Sequence, residues 1–173
     1  MRPDLEPPHQ QPAFHGLRIP HEFYWVLRDP APLAGMVLPQ SPWPDWDGLR
    51  TSGFRWIVCL CSDHPRYDPF PLEHLARVEL TDLVEGGEPD DPQLEEKGIR
   101  ILGKLVHEKL LAGEGVIVHC AGGRGRTGTV LGVVLRRFGF SAREVVDYLD
   151  EIHLAREKAG WPEASWQREV VER

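Results

Sequence analysis

Short runs of consecutive apolar residues alternate along this chain with longer stretches in which apolar positions recur every three or four residues. The first kind predicts strands: Phe23–Leu27, Leu33–Leu38, Arg55–Cys61, Ala76–Leu80 and Gly115–Val118. Turn chemistry at Asp29-Pro30-Ala31-Pro32 separates the first two. The second kind predicts helices. From about Asp91 to Ala112, Leu94, Ile101, Leu102, Leu105, Val106 and Leu110 fall at helical spacing. A second long helix runs from Ser141 to Lys158, with Ser141 as N-cap and Glu144 completing a capping box. Thr129–Leu135 is helical in pattern, a short helix is expected over Trp43–Arg50 before Gly53, and a last one over Glu163–Glu172. Strands alternating with helices predict an α/β fold, a three-layer sandwich with a mostly parallel central sheet of about five strands flanked by helices. Residues 1–20, rich in Pro, His and Gln and without periodicity, are expected to form a flexible tail, leaving 21–173 as a single domain.

Composition narrows the classes of function. A chain of 173 residues suits one domain with a substantial core. Its formal charge of −7 argues against nucleic acid as a partner, and requires that any anionic ligand be drawn in by local positive potential. Three cysteines, an odd number, speak against a disulfide-framed secreted domain, so a reducing, cytoplasmic setting is expected. Residues 1–20 hold no apolar signal-peptide core, and no apolar run approaches membrane-spanning length.

The chemistry concentrates in His119-Cys120-Ala121-Gly122-Gly123-Arg124-Gly125-Arg126-Thr127-Gly128. An apolar strand precedes this run and a helical pattern follows it. Strand, glycine-rich loop and helix N-terminus together build an anion cradle, because backbone N–H groups point inward and the helix macrodipole adds positive potential. A thiol held there is favoured as thiolate, the nucleophilic form. Arg126 brings a rigid donor fork that fits two oxygens of a tetrahedral oxyanion. Gly122, Gly123 and Gly125 let the loop turn and let its N–H groups approach phosphate. A thiolate in a phosphate-shaped nest implies phosphoryl transfer through a cysteinyl-phosphate, with no metal or cofactor called for.

The run resembles the active-site loop of the cysteine-dependent protein tyrosine and dual-specificity phosphatases, H-C-x5-R-[ST]-G, at every fixed position. Tyr24-Trp25-Val26, Leu33-Ala34-Gly35, Leu60-Cys61-Ser62-Asp63 and Tyr67-Asp68 occur in the order found in the small atypical dual-specificity phosphatases, so the resemblance covers nearly the whole chain beyond the tail. It implies Cys120 as nucleophile and residues Ala121 to Arg126 as the phosphate cradle. Arg126 would bind the phosphoryl oxygens, Thr127 would donate to the Cys120 sulfur, and His119 would order the loop. The general acid belongs on the acidic loop after the Ala76–Leu80 run. Asp82 is favoured there, with Glu85 as the alternative because some relatives read D-G-G-x-P where this chain has Glu85-Gly86-Gly87-Glu88-Pro89. Gln167 matches a late glutamine that sits near the active site in many relatives, which implies a residue able to orient the hydrolytic water, the alternative being an exposed helix glutamine.

The resemblance implies a phosphorylated protein or peptide as substrate. Arg124 motivates the alternative of an inositol-phosphate or phosphoinositide phosphatase, since lipid-directed relatives often carry a basic residue there, whereas Ala121 lacks their second one. A phosphate-binding pseudophosphatase is the non-enzymatic alternative. A sulfurtransferase or arsenate reductase fits less well, because the loop comes late in the chain. Cys59 and Cys61 alternate on one strand and share a side of the sheet. Cys61 falls near a position from which a relative's cysteine forms a disulfide with the nucleophile, although most buried strand cysteines only pack.

Overall fold

The computed structural model describes all 173 residues. Its central sheet has five strands: β3 (Phe23–Leu27), β4 (Leu33–Met36), β5 (Phe54–Cys59), β6 (Glu73–Arg77) and β7 (Gly115–His119). Their order is β3-β4-β7-β5-β6, antiparallel only between β3 and β4 and parallel elsewhere. The middle strand, β7, is buried throughout, which is why its sequence is apolar without alternation. Val116 and Val118 face a core shared with α2 (Pro92–Leu111), α3 (Gly125–Arg137), α4 (Ala142–Ala155) and α5 (Ser165–Glu172). Ile117 faces the opposite core, which is covered by α1 (Trp46–Thr51) and a β-hairpin. The expected three-layer arrangement is present, with one helical layer thick and the other reduced to a short helix and a hairpin.

That hairpin, β1 (Gln11–Phe14) with β2 (Leu17–Ile19), corrects the expectation of an irregular tail over residues 1–20. His15 and Gly16 at positive φ make the turn, and Leu17 and Ile19 are buried beneath it with Phe23 and Trp25. Prolines disguised a segment whose alternating Leu17 and Ile19 suffice to anchor it. Upstream of the hairpin, Glu6 N–H bonds the Val26 carbonyl at 3.0 Å.

Two further expectations shift. The edge strand lies at Glu73–Arg77, not Ala76–Leu80. Bonds from Val78 N and Leu80 N to the Cys59 and Leu60 carbonyls then carry the extended chain past the end of the strand, toward Asp82. In α2 the buried stripe is Ile99, Leu102, Val106 and Leu110, whereas Leu94 and Ile101 are exposed. The capping box of α4 is formed as expected, Ser141 Oγ accepting from Glu144 N and Glu144 accepting from Ser141 N.

Candidate active site

The parallel strands β4, β7 and β5 end side by side, and the loop Cys120–Arg124 leaves the end of β7 to enter α3. Crevices outside the carboxyl ends of parallel strands are where such sheets bind ligands. Cys120 sits at the loop's base, 2 % exposed, with Thr127 Oγ1 donating to its sulfur at 3.1 Å. Thr127 and Gly128 belong to the first turn of α3, which has no side-chain cap and no acidic residue of its own. Its free N–H groups and dipole are therefore directed at whatever the loop encloses.

Carbonyl tethering sets the loop's shape. The Ala121 carbonyl accepts from Leu38 N at 3.0 Å. Gly122 O accepts from Arg156 Nη2 at 3.0 Å, and Gly123 O accepts from Arg156 Nη1 at 3.0 Å and from the Tyr24 hydroxyl at 2.6 Å. Gly125 O accepts from Thr129 Oγ1 at 2.8 Å and Trp161 Nε1 at 3.4 Å. In a trans peptide the carbonyl and the following N–H point in opposite directions. Holding these carbonyls outward thus turns the N–H groups of Gly122, Gly123, Arg124 and Arg126 inward. Gly123 needs to be glycine, since its φ is +67° and a Cβ would lie 2.5 Å from the Met36 carbonyl.

Arg156 went unnoticed in the sequence. It is 1 % exposed, lies over the Tyr24 ring at 4.8 Å, and also donates to the Pro20 and His21 carbonyls. Burial lowers its pKa from the usual guanidinium value, against the opposing influence of Tyr24 and Cys120. Its Nη1 donates to His153 Nδ1 at 3.0 Å, which fixes the buried His153 as the neutral tautomer with its proton on Nε2. Arg156→Met should leave several buried carbonyls unpaired, at roughly 1–3 kcal/mol each. We expect a lower thermal midpoint and a fall in kcat/KM of about a hundredfold on an aryl phosphate, the latter from loss of preorganised donors. Arg156→Lys should not restore activity, because one ammonium cannot reach carbonyls on both sides. Steady-state kinetics beside thermal melts checks both.

A cleft of about 500 Å³ opens beside the loop, with Cys61, Ser62, Asp82, Ala121 and Arg126 among its lining residues. Arg126 Nη2 lies 3.3 Å from an Asp82 carboxylate oxygen, so the candidate cation and candidate acid share one space. Glu85 is exposed two residues beyond Leu83 and does not line this cleft. Of the two candidate acids, only Asp82 lines this cleft.

Arg124 does not reach into the cleft. Its Nε donates to the Gly160 carbonyl at 2.6 Å, and its Nη1 is 3.7 Å from Glu163. Glu163 is a second residue that sequence reasoning missed. Its carboxylate packs against Gly125, where a Cβ would lie 2.3 Å from Oε2, and burial raises its pKa above the usual carboxylate value despite Arg124. Gln167, which unlike Glu163 is fully buried, commits its side-chain oxygen to Glu163 N at 2.9 Å and Ala164 N at 3.3 Å, with its amide nitrogen beside Gly125. That geometry holds the Trp161–Ala164 turn against the start of α3, and leaves the Gln167 oxygen already engaged.

His119, fully buried, has Nδ1 3.1 Å from the Cys120 carbonyl and Nε2 against the Tyr67 hydroxyl. A carbonyl only accepts, so Nδ1 carries the proton and Nε2 accepts from Tyr67. These two bonds tie the His119 ring to the backbone of Cys120 and to Tyr67. Cys61 engages the Cys59 thiol directly, and Cys120 acts on it only at longer range. All three cysteines are free thiols.

Comparison with solved structures places this architecture among phosphatases. The chain superposes on Tk-PTP in its active form with a TM-score of 0.58 and 23% identity, covering 81% of this chain and 88% of that one. PTPMT1, solved in complex with PI(5)P, matches with a TM-score of 0.58 and 16% identity over 81% and 87% of the two chains. TpbA from P. aeruginosa matches with a TM-score of 0.53 and 17% identity over 85% and 82%. These likenesses establish a cysteine-phosphatase fold. The family model PTP-SAK, described as Swiss Army Knife protein, DSP-PTPase phosphatase domain, matches residues 20–171, and the chain belongs to that family. It is a cysteine-dependent phosphatase of the dual-specificity type, a phosphoric monoester hydrolase. No helix is long and apolar enough to cross a membrane.

Proposed function

We propose that Cys120 attacks the phosphorus of a phosphomonoester on a protein side chain. The S–P bond forms as the P–O bond to the leaving group breaks, and Asp82 gives its proton to the departing oxygen. Arg126 and the inward N–H groups hold the non-bridging oxygens as charge redistributes. Water then attacks the cysteinyl-phosphate, Asp82 takes its proton, and the thiolate leaves while accepting from Thr127. The observation that carries this reading is the row of outward-tethered carbonyls around a buried thiol at the uncapped start of α3. The unit proposed to carry it is a single domain over residues 21–173, with the β1–β2 hairpin packed onto it. The free thiols fit a reducing cytoplasm, the proposed location.

Protein substrates are favoured over inositol phosphates by the placement of Arg124. Drawn back onto Gly160 and paired with the half-buried Glu163, it adds little free positive charge for a second phosphate. A panel of phosphotyrosyl and phosphothreonyl peptides against soluble inositol phosphates and a dispersed phosphoinositide tests this. We expect kcat/KM at least about tenfold higher on the best peptide, and little change in the ratio for Arg124→Ala. A preference for the inositol compounds that Arg124→Ala abolishes would overturn the substrate reading.

A further inference from the structure

Behind the phosphate loop, on the sheet face opposite α3, lies a cluster of thiols and imidazoles that phosphoryl transfer does not use. Cys59 ends β5 and is the register partner of His119 at the end of β7, so parallel pairing sets the two side chains next to each other on one face. One ligand atom from each of Cys59, Cys61 and His119 lies within 4.8 Å of the other two. His64 closes the group from the following loop, its Nε2 3.5 Å from Cys59 Sγ. A cavity of about 260 Å³ adjoins the cluster, lined in part by Cys59, Cys61, His64, Tyr67 and His74. The His74 ring there has no partner for either nitrogen.

We propose that Cys59, Cys61, His64 and His119 form a binding site for a soft divalent cation such as Zn²⁺, and that its occupancy inhibits the phosphatase.

The chemistry of the donors favours such an ion. Two thiolates and two imidazoles make a tetrahedral set that zinc binds and hard cations do not. With Zn–S near 2.3 Å, tetrahedral ligand sulfurs stand roughly 3.8 Å apart, so the Cys59, Cys61 and His119 atoms need to draw in by no more than about an ångström, while His64, which touches only Cys59, must move in to join them. Each imidazole is held through Nδ1, His119 donating to the Cys120 carbonyl and His64 to the Pro65 carbonyl at 2.8 Å. For their Nε2 atoms to bind the ion, His64 must give up its 3.1 Å contact with the Cys61 carbonyl and His119 its contact with the Tyr67 hydroxyl. A backbone carbonyl on the second ring nitrogen is the usual outer support of a metal-bound histidine.

Coupling to the active site follows from the same contacts. To bind metal, His119 Nε2 must release the Tyr67 hydroxyl, while its Nδ1 remains bonded to the carbonyl of the nucleophile's own residue. Cys61 and Ala121 also border the same substrate cleft, so drawing Cys61 toward the cluster reshapes its wall. Metal here therefore acts as a brake on the loop.

Metal binding stands apart from the phosphatase reading, and only the inhibition rests on it. The first experiment uses Co²⁺ as probe on the full chain carrying Cys120→Ser, which removes the competing thiol. We expect one equivalent of Co²⁺ to give thiolate-to-cobalt charge-transfer absorption, which Zn²⁺ displaces. Cys61→Ser, at a half-exposed position where the fold is least at risk, should weaken binding at least about tenfold, as should His64→Ala. Binding should also raise the thermal midpoint of the Cys120→Ser protein and leave that of Cys61→Ser unmoved. Absence of the signal in Cys120→Ser, or its survival in Cys61→Ser and His64→Ala, would overturn the site. In the second experiment, Zn²⁺ should depress turnover of the wild-type enzyme reversibly, with a chelator restoring it, and should do so at least about tenfold less effectively in Cys61→Ser. Inhibition equal in both proteins would mean that the ion sits on Cys120, and would overturn the coupling.

Discussion

Cys120→Ser should abolish hydrolysis of an aryl phosphate, by about four orders of magnitude or more, while the protein stays folded. A serine hydroxyl keeps the size of the group and its contact with Thr127, but at neutral pH it is a far weaker nucleophile than a thiolate. The cradle itself survives, because its donors are the N–H groups of Gly122, Gly123, Arg124 and Arg126, held by Arg156, Tyr24 and Leu38 from outside the loop. Cys120→Ser should therefore still bind phosphate or vanadate, separating loss of chemistry from loss of the site. Wild-type activity should persist in EDTA, since Arg126 and backbone donors supply the charge stabilisation that other phosphatases take from ions. Single-turnover kinetics with and without chelator, beside oxyanion titration of the variant, reads all of this. Residual turnover in Cys120→Ser near the wild-type level would mean that another group attacks. Loss of wild-type activity on chelation would mean that a metal takes part in the chemistry.

The loop was legible because its residues are consecutive: one short segment carries the nucleophile, the cation and the glycines, and the apolar run of β7 announces where it starts. The central strands and the long helices were legible for a similar reason, since burial on both faces, or on one stripe, leaves a local pattern. What escaped was set by distance. Arg156 comes 36 residues after Cys120 and looks like one more charged residue at a helix end. Only its spacing from Leu149 and Ile152, which places it on the buried face of α4, hinted at an inward role. Glu163 reads as a solvated acid until α5 folds back on the start of α3. The Cys59–His119 neighbourhood depends on the register between β5 and β7, which neither strand encodes alone. The edge strand was misplaced because β6 pairs on one side only and its burial is partial, so the apolar residues just beyond it mimicked a better strand.

Asp82→Asn should slow the hydrolysis of poor leaving groups by about 10²–10⁴-fold and barely affect activated aryl phosphates. The argument starts from where β6 ends. Val78 and Leu80 keep bonding to the end of β5, Leu80 and Leu83 are buried on either side, and Asp82 between them is directed into the cleft. Its carboxylate stands 3.3 Å from Arg126, so on the mechanism proposed above a leaving oxygen departing in line from Cys120 would emerge beside it. An alkyl or phenol leaving group of high pKa needs that proton as the P–O bond breaks, whereas an activated nitrophenolate or coumarin leaves without it. The slope of log kcat/KM against leaving-group pKa should therefore be shallow for wild type and steep for Asp82→Asn. Glu85→Gln should keep the wild-type slope, since Glu85 lies outside the cleft on the exposed turn before Gly86 and Gly87. Should the steep slope belong to Glu85→Gln instead, the acidic loop must swing by several residues when substrate binds, and Glu85 takes over as the acid.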